Sequence, residues 1–141
     1  MISRRDVLVG VALFAAAGLA PAFAAQRVAF SPAAFEAAQK AGKPILVEIH
    51  ADWCPVCRAQ KETMAKFEGD PRFDGLAIFR VDFDAQKDAV RSFRAQQQST
   101  MIVFKGGKET GRLVGQSDPL SLEDLLDVAA LPPLVESVVA R

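Results

Sequence analysis

Cysteine, histidine and net charge are all scarce in this chain, and each shortage removes a class of function. There are two cysteines, Cys54 and Cys57, and one histidine, His50, in 141 residues. A closed zinc site takes four ligands, and the chain has no second Cys-x-x-Cys and no other histidine to complete one. A metal would have to recruit a carboxylate, a second chain or an open coordination position, and a copper-type ion is the kind that thiolates favour. A c-type haem needs His directly after the second cysteine, where Arg58 stands. A secreted scaffold held by disulfides scatters its cysteines so that bridges close long loops. A Cys54–Cys57 bridge would close a tiny loop and constrain the unfolded chain little. Charge imbalance is missing too: seventeen Lys and Arg offset seventeen Asp and Glu, with no basic run or stripe, which excludes the electrostatic footprint of a nucleic-acid binder. Repeats and low-complexity tracts are absent apart from Gln96-Gln97-Gln98, read as loop.

What is present is apolar: half of the residues, enough for one hydrophobic core and one domain. Residues 1–24 stand apart as an export signal. Arg4 and Arg5 precede the apolar run from Val7 to Ala20, and Ala22-Phe23-Ala24 offers small residues at both positions that signal peptidase inspects. Ser3-Arg4-Arg5-Asp6-Val7-Leu8 resembles a twin-arginine motif, with Val7 and Val9 where Phe and Lys usually stand. The competing reading is an uncleaved anchor through residues 7–25, since about 20 apolar residues cross a bilayer. Cleavage leaves fifteen basic against sixteen acidic residues, a nearly neutral mature protein expected outside the cytosol, periplasmic or otherwise exported.

The thiols sit in a telling context. Ile45-Leu46-Val47-Glu48-Ile49, after Gly42-Lys43-Pro44, reads as a strand buried on both faces. Pro55 suits the first turn of a helix that continues through good helix formers from Arg58 to Lys66. Cys54 therefore falls at the N-cap, where unpaired N–H groups and the helix dipole favour a thiolate and lower its pKa. Cys57, one turn on, is expected to be more buried. Such a pair is a reagent: the first sulfur attacks a disulfide and the second resolves the mixed intermediate.

Trp53-Cys54-Pro55-Val56-Cys57 at the end of an apolar strand resembles the active site of the thioredoxin family. The resemblance continues in Ser99-Thr100-Met101-Ile102-Val103-Phe104-Lys105-Gly106-Gly107 and in Arg112-Leu113-Val114-Gly115, and covers roughly residues 28–130. It implies an α/β fold with a central mixed sheet and helices on both faces, over a domain spanning 25–131 and followed by a tail over 132–141. The pattern agrees. Val28 to Phe30 reads as an edge strand, and Ser31 caps a helix from Pro32 to Lys40. Gly69-Asp70-Pro71 breaks the thiol helix. Leu76 to Asp82 reads as a strand, Ala85 to Ala95 as a helix, Met101 to Phe104 as the next strand, followed by a hairpin across Gly106-Gly107. Asp118-Pro119 opens the last helix, which Leu131-Pro132-Pro133 stops.

Several further residues are site candidates. Glu48 lies in an apolar run, and burial raises a carboxyl pKa toward the range useful for proton transfer. The resemblance implies that it relays the proton of Cys57. His50 shares its face of the strand. A cationic imidazole there would stabilise thiolate and make the disulfide more oxidising, whereas a neutral one would only fill an aromatic's place. Trp53 and Pro55 beside the thiols, with Ser99 and Thr100 opposite, are the expected substrate contacts. Ser99 departs from the family, which has a cis-proline there; the Gln98–Ser99 bond is either held cis at about 3 kcal/mol or trans in a relaxed loop, with more room near Cys54.

The resulting expectation is an exported thiol–disulfide oxidoreductase without a cofactor, catalysed by Cys54, Cys57 and Glu48. Pro55-Val56 puts no histidine between the thiols, which points to a reductant or moderate exchanger of envelope protein disulfides. The expected partners are protein disulfides or dithiols and a membrane electron donor or acceptor, with the chain a monomer. The reading from another class is a thioredoxin-like module that holds copper or a client protein without turnover.

Overall fold

Five consecutive buried residues, Ile45 to Ile49, form the middle of the sheet. They belong to β2 (Pro44–His50), and the computed structural model, which describes residues 25–130, builds every other element around them. The export signal, the Leu131-Pro132-Pro133 stop and the tail lie outside the described residues. β1 (Gln26–Ala29), β3 (Ala77–Asp82) and β2 run parallel, then β4 (Thr100–Lys105) and β5 (Lys108–Val114) run antiparallel, in the order β1-β3-β2-β4-β5. The sheet is mixed, as the resemblance implies.

Strand alternation sends side chains to two helical layers. Ile45, Val47 and Ile49 meet Phe79, Val81, Ile102 and Phe104 under α1 (Pro32–Lys40) and α3 (Lys87–Ser92). Leu46, Ile78, Met101 and Val103 meet Met64 of α2 (Pro55–Phe67) and Leu122, Leu125 and Leu126 of α4 (Pro119–Ala130). Each fully buried aliphatic side chain contributes about 1.5–3 kcal/mol relative to exposure, so the two layers hold β2 rigidly. Glu48 and His50 have the parity of Leu46 and therefore face the α2 layer.

Local chemistry sets the helix ends. Ser31 Oγ accepts the Ala34 N–H and Asp118 Oδ1 accepts that of Ser121, as N-caps do. Helix α3 is a correction: the expected helix from Ala85 to Ala95 is only Lys87–Ser92. Asp82 Oδ1 takes the N–H groups of Asp84 and Ala85, each at 2.8 Å, and locks them into a turn. At the other end, Arg94 adopts φ +53°, a left-handed conformation that stops the helix. One glycine is demanded by packing: a Cβ on Gly111 would sit 2.9 Å from Leu125 Cδ1 and 3.1 Å from Val103 Cγ2. Its bareness lets α4 lie against β5.

Candidate active site

Helix α2 starts at the thiols because proline is at home in its first turn and Cys54 supplies the cap. Cys54 has extended backbone (φ −84°, ψ 115°), and its Sγ accepts the Cys57 N–H at 3.1 Å. The sulfur thus occupies the place of a capping oxygen, facing the positive end of the helix dipole. Both cysteines are free. Their burial is the reverse of expectation: Cys54 is 3 % exposed and Cys57 9 %. Folding back over the first turn draws Cys54 inward, and Ala51, Val56 and Phe83 pack on the pair. Burial, reinforced by the hydrogen bond with Cys54, pushes the Cys57 thiol up to about 11, while backbone N–H groups of Ala51 and Ser99 counteract part of the rise.

Beneath the thiols lies a cavity with about 20 Å³ of space for water centres, lined among others by Cys57, Glu48, Gln60 and Arg27. A single water needs about 10–15 Å³ by that measure, so one fits. Glu48 is 9 % exposed, buried as expected. Its carboxyl is pushed above the ordinary range by burial and pulled part of the way back by Arg27, whose Nη1 donates to Oε2 at 2.6 Å. Arg27 Nε also donates to Glu68 Oε1 at 2.7 Å.

His50 is not the cation considered from sequence. Arg80 Nη2 lies 2.9 Å from His50 Nδ1. Guanidinium is donor only, so Nδ1 must be the acceptor and the ring neutral, with its proton on Nε2. Burial and then the Arg80 charge both lower its pKa. The neutral ring filling an aromatic's place is what remains.

Trp53 is 60 % exposed beside the thiols, its indole Nε1 donating to Asp84 Oδ2 at 2.7 Å. Pro55 is exposed at the same end. A helix-capping Cys-x-x-Cys, a buried acid below it and an exposed indole beside it, on this sheet order, form one constellation. The Thioredoxin family model matches residues 26–128.

The chain belongs to the thioredoxin family.

Among its relatives, Trxlp from Edwardsiella tarda EIB202 has a crystal structure that superposes with a TM-score of 0.70 at 42 % identity, covering 72 % of this chain and 98 % of that one. Thioredoxin from Alicyclobacillus acidocaldarius subsp. acidocaldarius is 30 % identical over 95 residues, 67 % of this chain and 90 % of that protein. Thioredoxin H2-1 of Oryza sativa subsp. japonica is 28 % identical over 81 residues; this chain spans 57 % of its length.

This thioredoxin-family member solves the loop opposite the thiols differently. No cis peptide bond occurs among the described residues, so Gln98–Ser99 is trans, and Ser99 takes φ +56° instead. That conformation costs a residue other than glycine about 1–2 kcal/mol. It is held by two bonds to the Ser99 carbonyl, from Gly115 N at 2.9 Å and from Gln60 Nε2 at 3.1 Å. The hydroxyls of Ser99 and Thr100 are turned to their own loop: Ser99 Oγ donates to Gln98 O and Thr100 Oγ1 to Gln97 O. Ser99 itself is buried, only 4 % exposed.

Three residues of the site went unnoticed in the sequence. Gln60 had a signal, a polar residue three after Cys57 and four before Met64, on the buried face of α2. Arg27 was missed because the expected edge strand began at Val28, whereas β1 begins at Gln26 and takes it in. Asp84 had no signal, because only the turn after β3 brings it to Trp53.

Proposed function

We propose that this thioredoxin-family member is an exported thiol–disulfide oxidoreductase, a reductant or moderate exchanger of protein disulfides in the cell envelope. The observation that carries the chemistry is the Cys54 sulfur in the capping position of α2, accepting the Cys57 N–H at 3.1 Å. Such a hydrogen bond at a helix start favours negative charge on the acceptor. Cys54 as thiolate attacks one sulfur of a client disulfide, the client S–S bond breaks, and the other client sulfur leaves as thiolate. Cys57 then passes its proton toward Glu48 and attacks Cys54 Sγ; the second client thiolate leaves with the electron pair. The products are a reduced client and a Cys54–Cys57 disulfide, two electrons having moved to the client.

Trp53 and Pro55 supply the exposed surface on which a client docks, together with the backbone rather than the hydroxyls of Ser99 and Thr100. Because Cys54 is nearly covered, docking has to open the cap. Export is supported by the paired arginines, apolar run and Ala22-Phe23-Ala24 of residues 1–24. A reductant working there as a monomer needs a membrane partner to restore the dithiol.

The test is equilibrium titration of the mature protein against reduced and oxidised glutathione, alongside insulin reduction. Reversible two-electron oxidation, lost in Cys54→Ser together with insulin reduction, is the expected result. Stoichiometric copper binding with no exchange would replace this reading by a non-catalytic module.

A further inference from the structure

We propose that Arg27 is a positioning residue for the second half of the exchange: it keeps the Glu48 side chain as a carboxylate at the cavity that reaches Cys57. The inference rests on the exchange reading above and adds to it a residue that touches neither thiol.

The geometry is particular. Arg27 stands on edge strand β1 opposite Ile78 of β3, with β2 beyond. Its side chain spans β3 to place Nη1 at 2.6 Å from Glu48 Oε2 and Nε at 2.7 Å from Glu68 Oε1. Nη2 lies 2.5 Å from the same Glu68 oxygen without hydrogen-bond geometry. Only a planar fork of donors reaches two carboxylates from one charge in this way. Glu68 is the C-cap of α2, so the guanidinium ties the far end of the thiol-bearing helix to the acid beneath its start.

The charges facing Glu48 leave this task to Arg27. From β3, Arg80 also favours the carboxylate, but less than Arg27 does, its Nη2 lying against His50 Nδ1 at 2.9 Å. On its own strand, His50 is neutral. From α2, Glu68 repels it and Lys61 lines the same cavity as Cys57. Across the other edge, its β4 partner is Met101, which has no charge. Burial drives the Glu48 carboxyl toward its protonated form, and a group already holding a proton cannot take one from Cys57. With Arg27 in place, the carboxylate accepts the Cys57 proton, through a water the cavity has room for, and the new thiolate attacks Cys54 Sγ. The proton leaves Glu48 afterwards for the released thiolate or solvent, which resets the site.

Reaction of the full-length, fully reduced protein with Ellman's reagent separates the halves. The first thionitrobenzoate is released when Cys54 forms the mixed disulfide, the second when Cys57 resolves it. In Arg27→Met the first release should hold its rate, while the acid limb of the second moves up by about 1–3 pH units, since that is what a close opposite charge is worth to a carboxylate. Below the limb each unit slows release about tenfold. Glu68→Gln removes a repelling charge and should move the limb the other way. In Glu48→Gln the limb should vanish, and adding Arg27→Met should change nothing more. If Arg27→Met does not fold, Arg27→Lys, which keeps the charge and loses the fork, should shift the limb in the same direction by less. Parallel slowing of both releases, an unmoved limb, or a shift of the same sign in Glu68→Gln would overturn the role of Arg27. A wild-type protein with no second release, or first release at the wild-type rate from Cys54→Ser, would instead overturn the exchange reading.

Discussion

Replacing Gln60 with Met keeps the length of a buried side chain and deletes its amide. Two bonds disappear, from Nε2 to Ser99 O at 3.1 Å and to Gln116 O at 2.7 Å. Neither carbonyl is orphaned, because Ser99 O keeps the Gly115 N–H at 2.9 Å and Gln116 is exposed to water. The loss is therefore the net worth of two hydrogen bonds, about 1 kcal/mol each. Burying a thioether chain in place of an amide returns part of it, leaving about 1–2 kcal/mol. Urea unfolding should show the midpoint lowered by roughly 0.5–1 M at unchanged slope. A second readout follows from what the loop does. The Ser99 backbone N–H counteracts the rise of the Cys57 pKa, so loosening that loop should move Cys57 titration further alkaline. Thr63→Val is the control: it loses the bond from Thr63 Oγ1 to Ser117 O, at 2.9 Å, and should cost about 1 kcal/mol with no effect on the thiol. An unchanged midpoint, a loss above about 4 kcal/mol of the kind left by truly unpaired carbonyls, or an equal thiol effect in Thr63→Val would refute the reasoning.

Three further outcomes are expected. Because the Cys57 pKa rises from 9.0 to about 11 on folding, the folded chain holds that proton more tightly. The stability so gained is complete below pH 9 and lost as pH rises toward 11; Cys57→Ser should flatten that part of the pH–stability curve, and identical curves would count against the buried thiol. Ser99→Pro should destabilise by about 3 kcal/mol or more, since proline fixes φ near −65° where the loop holds +56°; a thermal midpoint at or above wild type would mean that the loop rebuilds around the ring. Gly111→Ala should cost about 1–3 kcal/mol by overpacking against Leu125 and Val103, read by denaturant unfolding.

Where the sequence was legible, one physical pattern sufficed. The Ile45–Ile49 run could only be a doubly buried strand, and Pro55 behind Cys54 could only open a helix, so the capping sulfur followed from neighbours in the chain. Ser31 and Asp118 announced their helices in the same way. The α3 boundaries were misread because Asp82, a strand residue, captures N–H groups that a helix would have used. The charge state of His50 was open for a comparable reason: Arg80, thirty residues away in the chain, decides it.

Residue types and short spacings thus determined which atoms are reactive: two thiols at a helix start and a carboxyl in an apolar strand, all set by interactions within one turn or one strand. The tertiary structure alone decided how those atoms are tuned. Burial of Cys54, the trans loop at Ser99 held by Gln60, and the Arg27 fork between Glu48 and Glu68 each join elements far apart in sequence. Solvent exclusion and the direction of a nearby charge depend on what lies across the fold, and no local pattern encodes them.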